Sequence, residues 1–117
     1  MGNAVTWFEV AGKDREGLKG FYSQLFDWKL TDMEAMPYTG VTTTEDGIGG
    51  GIGQAPDGHP GHVTFYIDVD DIDAALGKAE SLGGSRAMGP MDIPSGRIAL
   101  IGDPEGHVVG LIEQPGD

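Results

Sequence analysis

Cysteine is absent from the sequence. That excludes disulfides, thiolate nucleophiles and cysteine-based zinc sites, and leaves the redox compartment open. Positive charge is scarce: 7 Lys+Arg stand against 19 Asp+Glu, a net charge of −12. Such a surface repels phosphate, so neither nucleic acid nor an anionic membrane is expected as a partner. No apolar run approaches the ~20 residues a transmembrane helix needs. The start, Met1-Gly2-Asn3-Ala4-Val5, lacks a basic region and an apolar core, so no signal peptide is expected and the location is expected to be cytoplasmic. Met1-Gly2-x-x-x-Thr6 fits the myristoylation pattern, but a plain first strand is the expected reading. No phosphate loop occurs, because the glycine run 47–53 lacks Lys-Ser/Thr and opens no helix. A nucleophile elbow is also missing.

Glycine is abundant, with 21 residues. Without a collagen period, these read as turns and as strand positions where bulk is excluded. The length suits one domain, residues 1–117, with a real core.

Val5 to Val10 reads as a strand, with Trp7 and Glu9 on one face and Phe8 and Val10 on the other. Asp14 is a good N-cap for a helix with Leu18, Phe21, Tyr22 and Leu25 on one side. Gly17 and Gly20 weaken that helix, so packing of Phe21, Leu25 and Phe26 on a sheet is expected to hold it. Strands are expected at 28–31, 38–44 and 48–53, with a tight turn at Glu45-Asp46-Gly47. Residues 55–61, rich in Pro and Gly, read as a linker.

The second half repeats the first. His62 to Val69 alternates, with Val63, Phe65, Ile67 and Val69 on one face. Asp70 or Asp71 caps a helix with the stripe Ile72, Ala75, Leu76, Ala79 and Leu82, and Gly83-Gly84 stops it. Strands follow at 85–88, 97–102 and 107–113, and Met88 to Pro94 reads as a loop. Setting Asp14 over Asp71 superposes Phe8 on Phe65, Val10 on Ile67 and Leu25 on Leu82. Gly50-Gly51-Ile52-Gly53-Gln54 also echoes Gly110-Leu111-Ile112-Glu113-Gln114. Two modules of strand-helix-strand-strand-strand result, at about 3–54 and about 62–115.

With Asp14, Phe21-Tyr22-x-x-Leu25-Phe26-x-Trp28, Val69 to Leu76, Leu82-Gly83-Gly84 and Asp103-Pro104-Glu105-Gly106 in this order, the chain resembles the vicinal oxygen chelate superfamily. That superfamily includes glyoxalase I, extradiol dioxygenases and bleomycin resistance proteins. The resemblance covers the whole chain. It implies an α+β fold of two βαβββ modules, whose mixed sheet curls into a cup with helices on the convex side. It also implies a ligand in the cup and, commonly, a homodimer.

Metal-using members take ligands from four cup-facing strand positions. By the resemblance these are Trp7, Gly50, Thr64 and Gly110 here, and none brings a usual donor. The family's divalent metal is therefore not expected, and no cofactor replaces it. His62, two residues before Thr64, and Glu113 leave a displaced site open, although Glu113 should point away from Gly110's face. His59 spans a Pro-Gly linker with His62 and is a poor ligand candidate, and His107 reads as turn chemistry. Glu9 is the candidate catalytic residue, as a base or cation holder, or else a carboxylate hydrogen-bonded at the cup floor. Tyr66 shares that face, and Trp7 offers a stacking surface. The candidate ligand-binding set is Trp7, Glu9, Gly50, His62, Thr64, Tyr66 and Gly110. Met33, Met36, Met88 and Met91 either line a cup mouth or fill space.

Three functions fit. The first is metal-free sequestration or sensing of a small molecule, cationic or aromatic. The second is a lyase, isomerase or dioxygenase using a displaced metal or Glu9. The third is a dimerising protein with a vestigial site.

Overall fold

A computed structural model describes residues 2–34 and 36–115. Met1, part of the acylation pattern, lies outside them. The element order is β1 (Val5–Gly12), α1 (Arg15–Phe26), β2 (Lys29–Asp32), β3 (Tyr38–Thr42), β4 (Gly49–Gln54), β5 (His62–Asp68), α2 (Ile72–Ser81), β6 (Ser85–Ile93), β7 (Gly96–Gly102) and β8 (Val108–Glu113). The α+β fold is thus βαβββ run twice. It forms two compact units: residues 7–64, and residues 65–115 with 2–6.

In the first unit the strands run β2-β3-β4-β1. β2/β3 and β3/β4 are antiparallel, while β4/β1 is parallel, with Phe8 beside Gly50 and Glu9 beside Gly51. The α1 side of this sheet carries Val10, Thr39, Val41 and Ile52, all buried. Phe8, Tyr22 and Trp28 pack on that side: Tyr22 and Trp28 stack at 5.4 Å, and Phe8 meets Trp28 at 5.2 Å, with the exposed Phe26 ring against Trp28 at 5.3 Å.

Asp14 caps α1 by accepting from Gly17 N at 3.0 Å, as its position implies. The buried side of the helix differs from the expected one. Phe21 and Leu25 are each 57% exposed and Phe26 53%, and no residue of α1 is fully buried. The stacking of Tyr22 on Trp28 sets the helix's rotation, and it carries Phe21 and Leu25 outward. Lys19 then lies inward enough to bond Asp32 at the end of β2, 2.9 Å away.

The second unit has the same plan, with β6-β7-β8-β5 and a parallel β8/β5 pair. Ile72, Leu76, Ala99 and Leu111 form its core, with Ile67, Val69, Ala75 and Ile101 against them. Asp71, rather than Asp70, caps α2 by accepting from Ala74 N at 3.1 Å. Glu113 accepts from Ile72 N at 2.8 Å, which places it at the positive end of α2. Gly83, at φ +97°, ends the helix, and Leu82 is left 70% exposed rather than in the stripe. Val63 and Phe65 are likewise exposed. Residues 89–93, beyond the strand expected at 85–88, also belong to β6 rather than to a loop. The pairing with β7 shifts register between Met88 and Met91, and the bulged stretch has Gly89 at φ +80°.

Candidate functional site

The first unit's sheet turns its other face away from α1. Alternation puts Trp7 and Glu9 of β1 there, with their neighbours Gly49 and Gly51 of β4 and the facing Gly40 of β3. Gly50 is not on this face. Its missing Cβ points into Phe8, on the α1 side. The expected placement of Gly50 beside Trp7 and Glu9 is therefore corrected by one residue, and a one-residue shift reverses the face. Glu9 and Tyr66 correspond when Asp14 is set over Asp71. Glu9 pairs with Gly51 and Tyr66 pairs with Gly110, so the counterpart of Gly110 is Gly51.

Tyr38, at the start of β3, occupies the space that Gly51 leaves. A Cβ on Gly51 would overlap both the Tyr38 ring and its hydroxyl. From that position Tyr38 joins a hydrogen-bonded chain. The Trp7 indole N–H donates to the Tyr38 oxygen at 2.9 Å. The Tyr38 hydroxyl donates to Glu9 Oε1 at 3.0 Å. Glu9 Oε2 lies 2.6 Å from His62 Nε2. A carboxylate between a phenol and an imidazole has both oxygens engaged. The Nε2–H tautomer of His62, or its protonated form, satisfies the short contact. The Glu9 side chain is 14% exposed and that of His62 is 32% exposed.

The linker delivers His62. Ala55 N donates to Gly12 O at 2.8 Å, and Ala55 is buried. Gly61, at φ +91°, packs so tightly on the Ala11 carbonyl that any side chain would collide with it. This close approach brings the start of β5 to β1.

Trp7, Glu9 and His62 are thus brought together, and Tyr38 is the partner that sequence reasoning missed. Thr64, two residues on from His62, is buried. Tyr66 and Gly110 lie in the second unit, where a Cβ on Gly110 would enter the Tyr66 ring. His59 is exposed, and His107 pairs with Asp103 at 3.1 Å in the turn. Two backbone N–H groups, of His107 and Glu105, and the His107 ring hold the Asp103 carboxyl below its ordinary pKa. Asp32 is also lowered, by the Thr39 hydroxyl and then Lys19, whose own pKa is raised.

These residues do not suit the metal that the family resemblance implies. Glycines stand beside Trp7 and Glu9, and Tyr38 fills the room above Gly51. Glu9 and His62 are bonded to each other. Among the described residues no three His, Cys, Asp or Glu side chains gather as a metal site would require.

Beside Trp7 the face opens into a groove of about 300 Å³. Its floor includes Gly40 and Gly49, and its rim carries Thr31, Thr42, Thr43 and Thr44. Among the described residues no charged side chain lines it, while Lys29, paired with Thr42, stands on the same face beside it.

The sequence model of the Glyoxalase/Bleomycin resistance protein/Dioxygenase superfamily matches residues 4–111. "Putative glyoxylase CFP32" of Mycobacterium tuberculosis is 34% identical over 113 residues, covering 90% of this chain and 43% of that protein. "Anthracycline biosynthesis protein DnrV" of Streptomyces peucetius is 31% identical over 121 residues, covering 88% of this chain and 44% of that protein. The chain therefore spans less than half the length of these curated relatives. In fold it matches a member of the same superfamily from Vibrio splendidus, with a TM-score of 0.66 at 16% identity and coverage of 97% and 100%. It also matches methylmalonyl-CoA epimerase of Mycobacterium tuberculosis, with a TM-score of 0.68 at 14% identity and coverage of 96% and 88%. The chain belongs to the Glyoxalase/Bleomycin resistance protein/Dioxygenase superfamily.

Proposed function

We propose that the chain binds a small molecule without a metal, on the face of the first unit that carries Trp7, Tyr38 and Glu9. One observation carries the reading: Tyr38 takes the space above Gly51 and ties both Trp7 and Glu9 into a fixed wall. A polar wall fixed before binding, beside an open groove, is what a receptor needs, because little is lost in ordering it. The names of the relatives supply the setting: one is a glyoxylase by name, the other belongs to anthracycline biosynthesis. Both suit a small organic guest, held for sequestration or sensing, and we take the working form to be a homodimer.

The test is a metabolite panel screened by thermal shift, with and without chelator, on untagged protein. A ligand is expected to raise Tm in a saturable way that chelator leaves unchanged. Elemental analysis is expected to find far less than one Fe, Ni, Zn or Mn per chain. Near-stoichiometric metal, lost in Glu9→Gln or His62→Ala, would overturn the metal-free reading.

A second reading is metal-free proton transfer, favoured by the 2.6 Å contact of Glu9 and His62. A carboxylate that accepts from one imidazole nitrogen fixes the tautomer and leaves the other nitrogen as the acceptor for a substrate proton. Turnover of any bound compound, abolished in both Glu9→Gln and His62→Gln while binding persists, would favour it over sequestration.

A further inference from the structure

We infer that Met33 is an oxidant-sensitive modification site: oxidation of its thioether to the sulfoxide by a peroxide unseats Tyr38 and loosens the wall made by Trp7 and Glu9. The response lies in the wall itself, so it does not depend on which guest binds, or on whether one does.

The sulfur of this chain is all thioether. Cysteine is absent and 5 methionines are present, so no thiol competes for an oxidant. Met33 is 43% exposed, within reach of a small peroxide. A sulfur lone pair attacks one oxygen of hydrogen peroxide, and the O–O bond breaks as the S–O bond forms. The departing hydroxide takes the proton of the transferred hydroxyl and leaves as water. Sulfur is oxidised by two electrons and the peroxide is reduced by two.

Position gives Met33 its consequence. It directly follows β2, and its N–H donates to Tyr38 O at 2.9 Å, which extends the β2/β3 pairing by one residue and sets Met33 opposite Tyr38. Tyr38 N donates to Met36 O at 2.8 Å. Main-chain bonds thus fix the tyrosine beside the methionine. The Met33 methyl reaches over Gly40, 4.0 Å from where a Cβ would stand. Gly51, which pairs with Gly40, lies under the Tyr38 hydroxyl. The thioether and the hydroxyl therefore stand over neighbouring glycines, which put no side chain between them.

A thioether is a weak acceptor and leaves that hydroxyl to Glu9. A sulfoxide carries a polar oxygen that accepts hydrogen bonds. It competes with Glu9 for the Tyr38 proton, and a phenol turned toward it also deserts the Trp7 N–H. Met91 is the built-in contrast. It is 44% exposed, yet its cross-strand partner is Ile98, so oxidation there meets an aliphatic neighbour.

The experiment treats the full chain with dilute hydrogen peroxide and follows each methionine by peptide mass. The unaltered chain is compared with Met33→Leu, Met36→Leu and Met91→Leu, each also carrying Trp28→Phe so that Trp7 is the single indole. Met33 and Met91 are expected to gain oxygen at comparable rates. Trp7 emission should shift in step with Met33 sulfoxide, and Tm should fall by roughly 4 °C. Both changes should persist in Met36→Leu and Met91→Leu, vanish in Met33→Leu, and reverse under methionine sulfoxide reductases. The reversal needs no variant, and Tm on chains that keep Trp28 decides the matter if Trp28→Phe does not fold. A response of the same size in Met33→Leu overturns the inference. So does Met33 sulfoxide with Trp7 emission and Tm unchanged, or a Met33 that reacts only once the chain unfolds.

Discussion

Adding one methyl group at Gly51 should dismantle the wall. The Cβ of Gly51→Ala would fall within the Tyr38 ring and hydroxyl, and a phenol cannot yield by flexing its tip. Tyr38 must rotate away, and two hydrogen bonds go with it, from Trp7 at 2.9 Å and to Glu9 at 3.0 Å. A neutral bond contributes about 1 kcal/mol net, and one to a charged group about 1.5–3 kcal/mol. Both are part-buried, so the low end applies and the loss is about 2.5 kcal/mol. Replacing Gly by Ala restricts the unfolded chain and returns about 0.5 kcal/mol. A net loss of about 2 kcal/mol should lower Tm by roughly 6–10 °C in a domain of this size. The assay is urea and thermal unfolding of Gly51→Ala, Tyr38→Ala and the double variant. With Tyr38 truncated, the methyl has room and should cost nothing or stabilise slightly. The double-mutant cycle should therefore show a coupling of about 2 kcal/mol. An equal cost in both backgrounds, or a cost below about 0.5 kcal/mol in the unaltered chain, would refute the geometry.

Other expectations follow from the same contacts. Glu113→Ala strips the Ile72 N–H of its acceptor at a buried helix start and should cost about 1–2 kcal/mol by urea unfolding, more than Glu113→Gln. Gly110→Ala should destabilise by forcing the Tyr66 ring aside, with the effect relieved in Tyr66→Ala. Asp32 and Asp103 have lowered folded pKa values, so their contribution is present above the unfolded value and is lost as pH falls through the folded one. An acid melt of Asp103→Asn should accordingly be shallower than that of the unaltered chain. Lys19 has the opposite sign: its raised pKa gives stability below its unfolded value that is lost as pH rises through the folded one. Sedimentation should find a dimer, and a monomer at all working concentrations would remove that part of the proposal.

Local signals carried most of the fold. Asp14 and Asp71 each cap a helix because the carboxylate reaches the amide three residues on, a relation written directly in the chain. Alternation put Trp7 and Glu9 on the same face for the same reason. Pairing between strands is not local, and the readings that depended on it went astray. The echo of Gly50 with Gly110 is real as a string of letters, yet parallel pairing to β1 sets Gly51 opposite Glu9. Tyr38 was invisible as a site residue because its role depends on the partner strand having no side chain beneath it. The rotation of α1 follows from Tyr22 stacking on Trp28, a contact between a helix and the segment after it that helical periodicity does not encode.

The seat that Gly51 provides for Tyr38 also constrains how this site can change. A carboxylate or imidazole at position 51 would return a metal donor to the face, but no single substitution can place one while Tyr38 is there. Tyr38 must be shortened first, and that step releases Trp7 and Glu9 before any donor arrives. Both orders pass through a damaged intermediate. The glycine and the tyrosine together act as a ratchet, so a laboratory search for a metalloenzyme from this chain should begin with libraries that vary positions 38 and 51 at once.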